Sequence, residues 1–105
     1  MIVRIWHGRV PADKKQAYLD YLERTGLKDS AATVGNRGVD LLCREVGRFT
    51  DFMTVTRWDS VEAIKAFAGD DYQKARYYPE DAEFLSEMEP FVKHYEVLYS
   101  HQPNS

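Results

Sequence analysis

A single cysteine, Cys43, rules out an intramolecular disulfide in this 105-residue chain and favours a reducing, cytoplasmic setting. It lies in the apolar run Leu41-Leu42-Cys43 and is expected to be a small buried residue. Long hydrophobic runs are missing too, and no stretch reaches the roughly 20 apolar residues that a membrane helix needs. The N-terminal MIVRIWHGRV has neither the apolar core nor the cleavage site of a signal peptide. Charge of one sign is also scarce. Fourteen Lys and Arg against 17 Asp and Glu leave a net charge of −3 with no run of either sign, so neither nucleic acid nor an anionic membrane is an expected partner. Metal-binding and phosphate-binding spacings such as HExxH, CxxC and a glycine-rich loop are absent, as is GxSxG.

Aromatic side chains are abundant: seven Tyr, five Phe and two Trp, 13% of the chain. Either they fill the core of a small domain or they wall a pocket for a flat ligand, and composition does not separate the two.

The chain is long enough for one domain, placed at residues 1–100, with His101 to Ser105 as a tail. Ile2 to Val10 reads as a strand ended by Pro11. Ala17, Tyr18, Tyr21 and Leu22 mark an amphipathic helix from Asp13 to about Leu27. Ala31 to Gly38 reads as a loop. Val39 to Val46 and Asp51 to Trp58 form a hairpin around Gly47 to Thr50. Asp59 is expected to cap the next helix, with Glu62 completing a capping box and Gly69 closing it. Tyr72 to Tyr77 makes one or two helical turns, Pro79 starts another helix that Pro90 ends, and Phe91 to Tyr99 is the last strand. The order βαββααβ is that of an α+β, ferredoxin-like fold, a four-stranded antiparallel sheet with helices on one face. Large apolar residues fall on both faces of the predicted strands. Helices cover only one, so a second copy of the chain is expected over the other.

The junction RVPADKKQAYLDYL and the block TVTRWDSVEAIKAFAGDDYQKARYYPEDAEFL, together with the element order, resemble the antibiotic-biosynthesis-monooxygenase-like (ABM) family over residues 2 to 99. The resemblance implies a homodimeric α/β barrel built from two such sheets. It also implies, for some members, oxygenation of polycyclic aromatic substrates with no metal or flavin, so no cofactor is expected. The haem-degrading branch carries an Asn on the first strand, a Trp on the helix after Trp58 and an axial His beyond it. Here those places hold Trp6, Phe67 and Arg76-Tyr77, and nothing of that triad carries over.

Cofactor-free oxygenation needs an apolar slot, a base and donors for an oxyanion. Trp6, Trp58, Phe67, Tyr72 and Tyr77 are candidates for the slot. His7 or His94, on strands expected to be neighbours, are candidate bases, and Arg4, Arg76 or Tyr77 are candidate anion contacts. Each has a structural alternative: Arg76 pairs with Glu80 or Asp81, Trp58 fills the core, and the two histidines are satisfied by hydrogen bonds or join Glu96 on a metal. The expected partners are a second copy and a small apolar or aromatic ligand.

Overall fold

A computed structural model describes residues 1–103. Four strands, β1 (Ile2–Pro11), β2 (Asn36–Val46), β3 (Phe49–Trp58) and β4 (Lys93–Glu96), form one antiparallel sheet in the order β2-β3-β1-β4. Helices α1 (Lys15–Arg24), α2 (Gly26–Ala32), α3 (Val61–Ala68) and α4 (Asp81–Phe84) complete the α+β, ferredoxin-like fold.

Alternation along β1 decides which side chains meet the helices. Arg4, Gly8 and Val10 are buried, and opposite them on β3 stand the buried Thr56, Phe52 and Thr50. Tyr18, Tyr21 and Leu22 recur at helical spacing on α1 and close over this face. Tyr18 packs its ring against Phe52 at 5.6 Å and Phe84 at 5.1 Å. Trp58 and Ile64 are completely buried where α3 meets β3. Burial of side chains this size contributes about 1.5–3 kcal/mol each.

Several elements depart from the sequence-based expectation. The hairpin turn is only Gly47-Arg48, with Gly47 at φ 61, so Phe49 and Thr50 belong to β3. A two-residue turn with glycine first matches the twist of the strands it joins. The expected first helix is split. Thr25 donates from its hydroxyl to the Tyr21 carbonyl at 2.7 Å and leaves helical geometry, and α2 starts afresh at Gly26. Residues 31 to 38 are therefore not one loop, because Ala31 and Ala32 end α2 and Asn36 to Gly38 open β2. Ser60, not Asp59, caps α3, accepting from the Ala63 N–H at 3.2 Å, while Asp59 pairs with Arg37. Residues 72 to 77 form no helix. Tyr72 and Gln73 make a turn, and residues 74 to 77 run on from it as an irregular strap, the whole tied by Ala75 N–H to the Pro90 carbonyl and Val92 N–H to the Gln73 carbonyl. The helix after Pro79 is one turn long, and the last strand covers four residues rather than nine. Cys43 is exposed, on the edge strand β2, rather than buried. Of the tail, 101–103 are exposed and irregular; 104–105 lie outside the described residues.

Among the described residues no helix is long and apolar enough to cross a membrane.

Candidate functional site

The kink at Thr25 turns α2 toward the strap, and a cavity opens between them and the sheet. Its floor includes Arg4 and Trp6 of β1 and Thr54 and Thr56 of β3. Its roof includes Tyr18 and Leu22 of α1 and Leu27 and Ser30 of α2. Phe67 of α3, with Arg76, Tyr77, Tyr78 and Asp81, forms the side. The cavity volume is about 60 Å³, and the empty space reaches about 580 Å³ when its open mouth is included.

Trp6 is held by its own polar atom. Its Nε1–H donates to the Tyr77 hydroxyl at 3.1 Å, and that hydroxyl donates to the Glu89 carbonyl at 2.6 Å. The rings meet edge to face at 6.3 Å. Gly8 leaves room for this placement, since a Cβ there would lie 2.3 Å from the indole Cη2. Arg76 sits over both Phe67 (4.8 Å) and Tyr78 (4.9 Å) and donates to the Phe67 carbonyl at 2.8 Å. Its nearest carboxylate is Asp29 at 3.7 Å, rather than Glu80 or Asp81. Asp81 is buried. It accepts from the Tyr18 hydroxyl at 2.9 Å and from the Tyr78 N–H at 2.6 Å.

Five of the residues singled out in the sequence line this cavity: Arg4, Trp6, Phe67, Arg76 and Tyr77. The others stand elsewhere. Trp58 lies behind the wall, wholly buried, its ring tilted against Phe67 at 5.7 Å and its N–H donating to the Thr56 hydroxyl at 2.8 Å. Tyr72 contributes its carbonyl, which accepts from Arg4, while its ring meets His94 at 5.1 Å. His94 sits behind Arg4, its Nε2 3.1 Å from Arg4 Nη1. A guanidinium only donates, so Nε2 is the acceptor and this imidazole is neutral. Burial and the Arg4 charge push its pKa below the usual 6.5. His7 is on the opposite face of the sheet, beside Asp51 (3.6 Å) and Glu89 (3.3 Å), and takes no part in the cavity. The two histidines and Glu96 do not converge, and no cluster of three potential metal ligands occurs among the described residues.

Tyr18, Ser30, Thr54, Thr56, Tyr78 and Asp81 line the cavity but were not foreseen as site residues. Thr54 and Thr56 had a legible signal: they share the strand face of Trp58 at a spacing of two. Asp81 had a misleading one, since an acid after Pro79 reads as complementing a helix dipole. Burial raises the pKa of Tyr77, and burial together with a carboxylate partner raises those of Tyr18 and Tyr78, so all three phenols keep their protons at neutral pH and act as donors.

The phenols spend these protons on Glu89, Asp81 and Asp29, so the site can take a flat, largely apolar molecule between its rings and offer it the Ser30 hydroxyl and guanidinium donors. Haem finds no axial ligand here: among the described residues no imidazole lines the wall, and His94 behind it is engaged by Arg4.

No protein-family model matches the chain, and comparison with curated proteins finds no significant relative. Solved structures do match over nearly its whole length. An antibiotic biosynthesis monooxygenase-type protein from Nitrosomonas europaea superposes with a TM-score of 0.68 at 22% identity, covering 94% of this chain and 100% of the other. The haem-degrader MhuD of Mycobacterium tuberculosis, solved with two haems in its active site, gives 0.64 at 21%, covering 97% and 100%. Rv0793 from the same organism gives 0.63 at 19%, covering 97% and 100%. The fold of this chain is that of the ABM-like proteins, as the sequence resemblance implied.

Proposed function

We propose that this chain binds a small aromatic or quinone-like substrate in the cavity between helices and sheet and acts on it as a cofactor-independent monooxygenase. The observation that carries the reading is the wall itself, where Trp6, Tyr18, Phe67, Tyr77 and Tyr78 converge on one opening. Pockets of this kind, apolar with a few placed polar groups, are the usual seats of small ligands. In the reaction an electron-rich phenol or enol loses a proton and its anion passes an electron to O₂. The carboxylate on the wall, Asp81, with the Tyr18 hydroxyl bonded to it, is the group within reach of that proton. The chain works as a homodimer joined through the uncovered sheet face, in the reducing cytoplasm that its one free cysteine suits.

The test combines two measurements on the purified protein with a panel of phenols, naphthohydroquinones and anthrone-type compounds. Thermal unfolding should rise with at least one of them. Oxygen uptake should accompany at least one and survive a metal chelator. Absence of any thermal shift across the panel would remove the ligand-binding reading. A second reading, binding without turnover, is favoured by one observation: no histidine lines the cavity, and both Asp81 oxygens already accept hydrogen bonds. A thermal shift with no oxygen uptake would select it.

A further inference from the structure

Arg4 is 4% exposed, yet no carboxylate lies within 4.0 Å of it among the described residues. Buried charges in proteins are ordinarily paired, because desolvating an ion without a counter-charge is expensive. Arg4 instead donates to neutral acceptors: the Tyr72 carbonyl and His94 Nε2 from Nη1, and the Lys74 carbonyl at 3.2 Å from Nη2. Burial lowers its pKa to about 10, still well above neutrality, so the charge persists. A guanidinium has five N–H donors. These contacts leave Nε–H and one Nη2–H without a protein acceptor. The Nε/Nη2 edge is the one this chain uses elsewhere to grip carboxylates. Arg9 holds Asp51 at 2.6 Å from Nε and 3.1 Å from Nη2, and Arg37 holds Asp59 at 2.7 and 2.9 Å. In Arg4 that edge has no such partner, and the residue lines the cavity.

A second feature points the same way. Ser30, 3% exposed, also lines the cavity, and its hydroxyl has no hydrogen-bond partner. Buried hydroxyls are rarely left unsatisfied without reason. Arg76, which faces Asp29 at 3.7 Å, adds a second guanidinium beside the same Phe67 ring that Arg4 flanks, at 4.8 and 5.9 Å respectively, and of the two only Arg4 has no carboxylate partner among the described residues.

We propose that the cavity is built for an aromatic acid, a flat ring bearing a carboxylate that Arg4 takes on its free edge with the Ser30 hydroxyl as a further donor. The proposal rests on the aromatic-cavity reading and names the class of molecule within it. A carboxylate suits the planar fork in a way that a neutral carbonyl or a single phenolic oxygen does not.

The test compares benzoate with benzamide, which has nearly the same shape and no charge, by calorimetric titration at neutral pH. Benzoate should bind at least about tenfold more tightly, the scale of a charge-assisted bidentate contact. In Arg4→Met that preference should vanish while benzamide affinity holds. Ser30→Ala should weaken benzoate alone, by a few-fold. Arg4 also ties down the strap, so Arg4→Met could fail to fold. In that case the wild-type comparison decides, together with the Arg4 Nε–H resonance, which benzoate should shift and benzamide should not. Equal affinity for the two compounds overturns the aromatic-acid proposal and leaves the aromatic cavity standing. So does a preference for benzoate that survives in folded Arg4→Met. Failure of both compounds to bind overturns the proposal and the cavity reading together.

Discussion

Gly8 shows how one hydrogen atom in place of a methyl sets the shape of the cavity. A Cβ at this position would stand 2.3 and 2.4 Å from two carbons of the Trp6 indole and 2.9 Å from Leu85 Cδ2. The indole folds back along its own strand over the glycine, which is what directs its N–H to Tyr77. Gly8→Ala should therefore displace Trp6, lower stability by about 1–3 kcal/mol in a urea titration, and weaken binding of any aromatic ligand. Unchanged ligand affinity with Trp6 displaced would show that the indole is not part of the wall. The sequence WHGRV displays the glycine but not this reason for it, because a contact between residues i and i+2 across a strand face depends on a rotamer. Arg76 is a similar case. Its candidacy as a wall residue was readable, while its stacking between Phe67 and Tyr78 was not, since Asp29, which it faces, is 47 positions away in the sequence (76 minus 29).

At the scale of elements, strands and the amphipathic faces of α1 and α3 were legible because period-two and period-3.6 patterns are local. What the pattern did not reveal is where neighbouring contacts override it. Asp59 precedes α3 and looks like its cap, yet Arg37 on β2 captures it and the cap passes to Ser60. Ser60→Ala should thus cost about 1 kcal/mol, read as a lower midpoint in chemical denaturation, whereas Asp59→Ala should act through Arg37 and leave the α3 cap intact. The sequence suggests one or two helical turns at residues 72 to 77, where the structure has a turn and a strap. Its conformation is set instead by main-chain bonds to residues 90 and 92 and by Arg4, which reaches two of its carbonyls. Contacts separated by 68 and 70 positions leave no local trace. The same long reach explains why Arg4, visible in sequence as one polar residue on a strand, could not be recognised as a charge without a partner.

On the scale of the whole molecule, the helices occupy one side of the sheet and leave the other open. That open face brings Ile5, Val55, Met53 and Leu42 into one apolar band across three strands, with Leu42 51% and Met53 36% exposed, and Tyr95 of β4 (51%) extends it. Arg9, Asp51 and Arg44 border it. The homodimer proposed above would bury this band by sheet-to-sheet association of two copies. Sedimentation at micromolar concentration should therefore find a dimer, and Met53→Asp should shift it toward the monomer while the cavity on the far side still binds its ligand. A monomeric wild-type protein would refute this. The two-sided character of the strands was readable in sequence from their apolar residues, but His7 and His94 could be assigned to opposite faces only once the β1–β4 register was fixed.

The two tryptophans divide the molecule's light emission between them. Trp58 is sealed in the core with its N–H on Thr56, and Trp6 lines the cavity with its N–H on a phenol. Only the second indole is placed to meet a guest. A change in tryptophan fluorescence on adding a ligand then reports first on Trp6, the indole on the wall, with Trp58 one layer behind it.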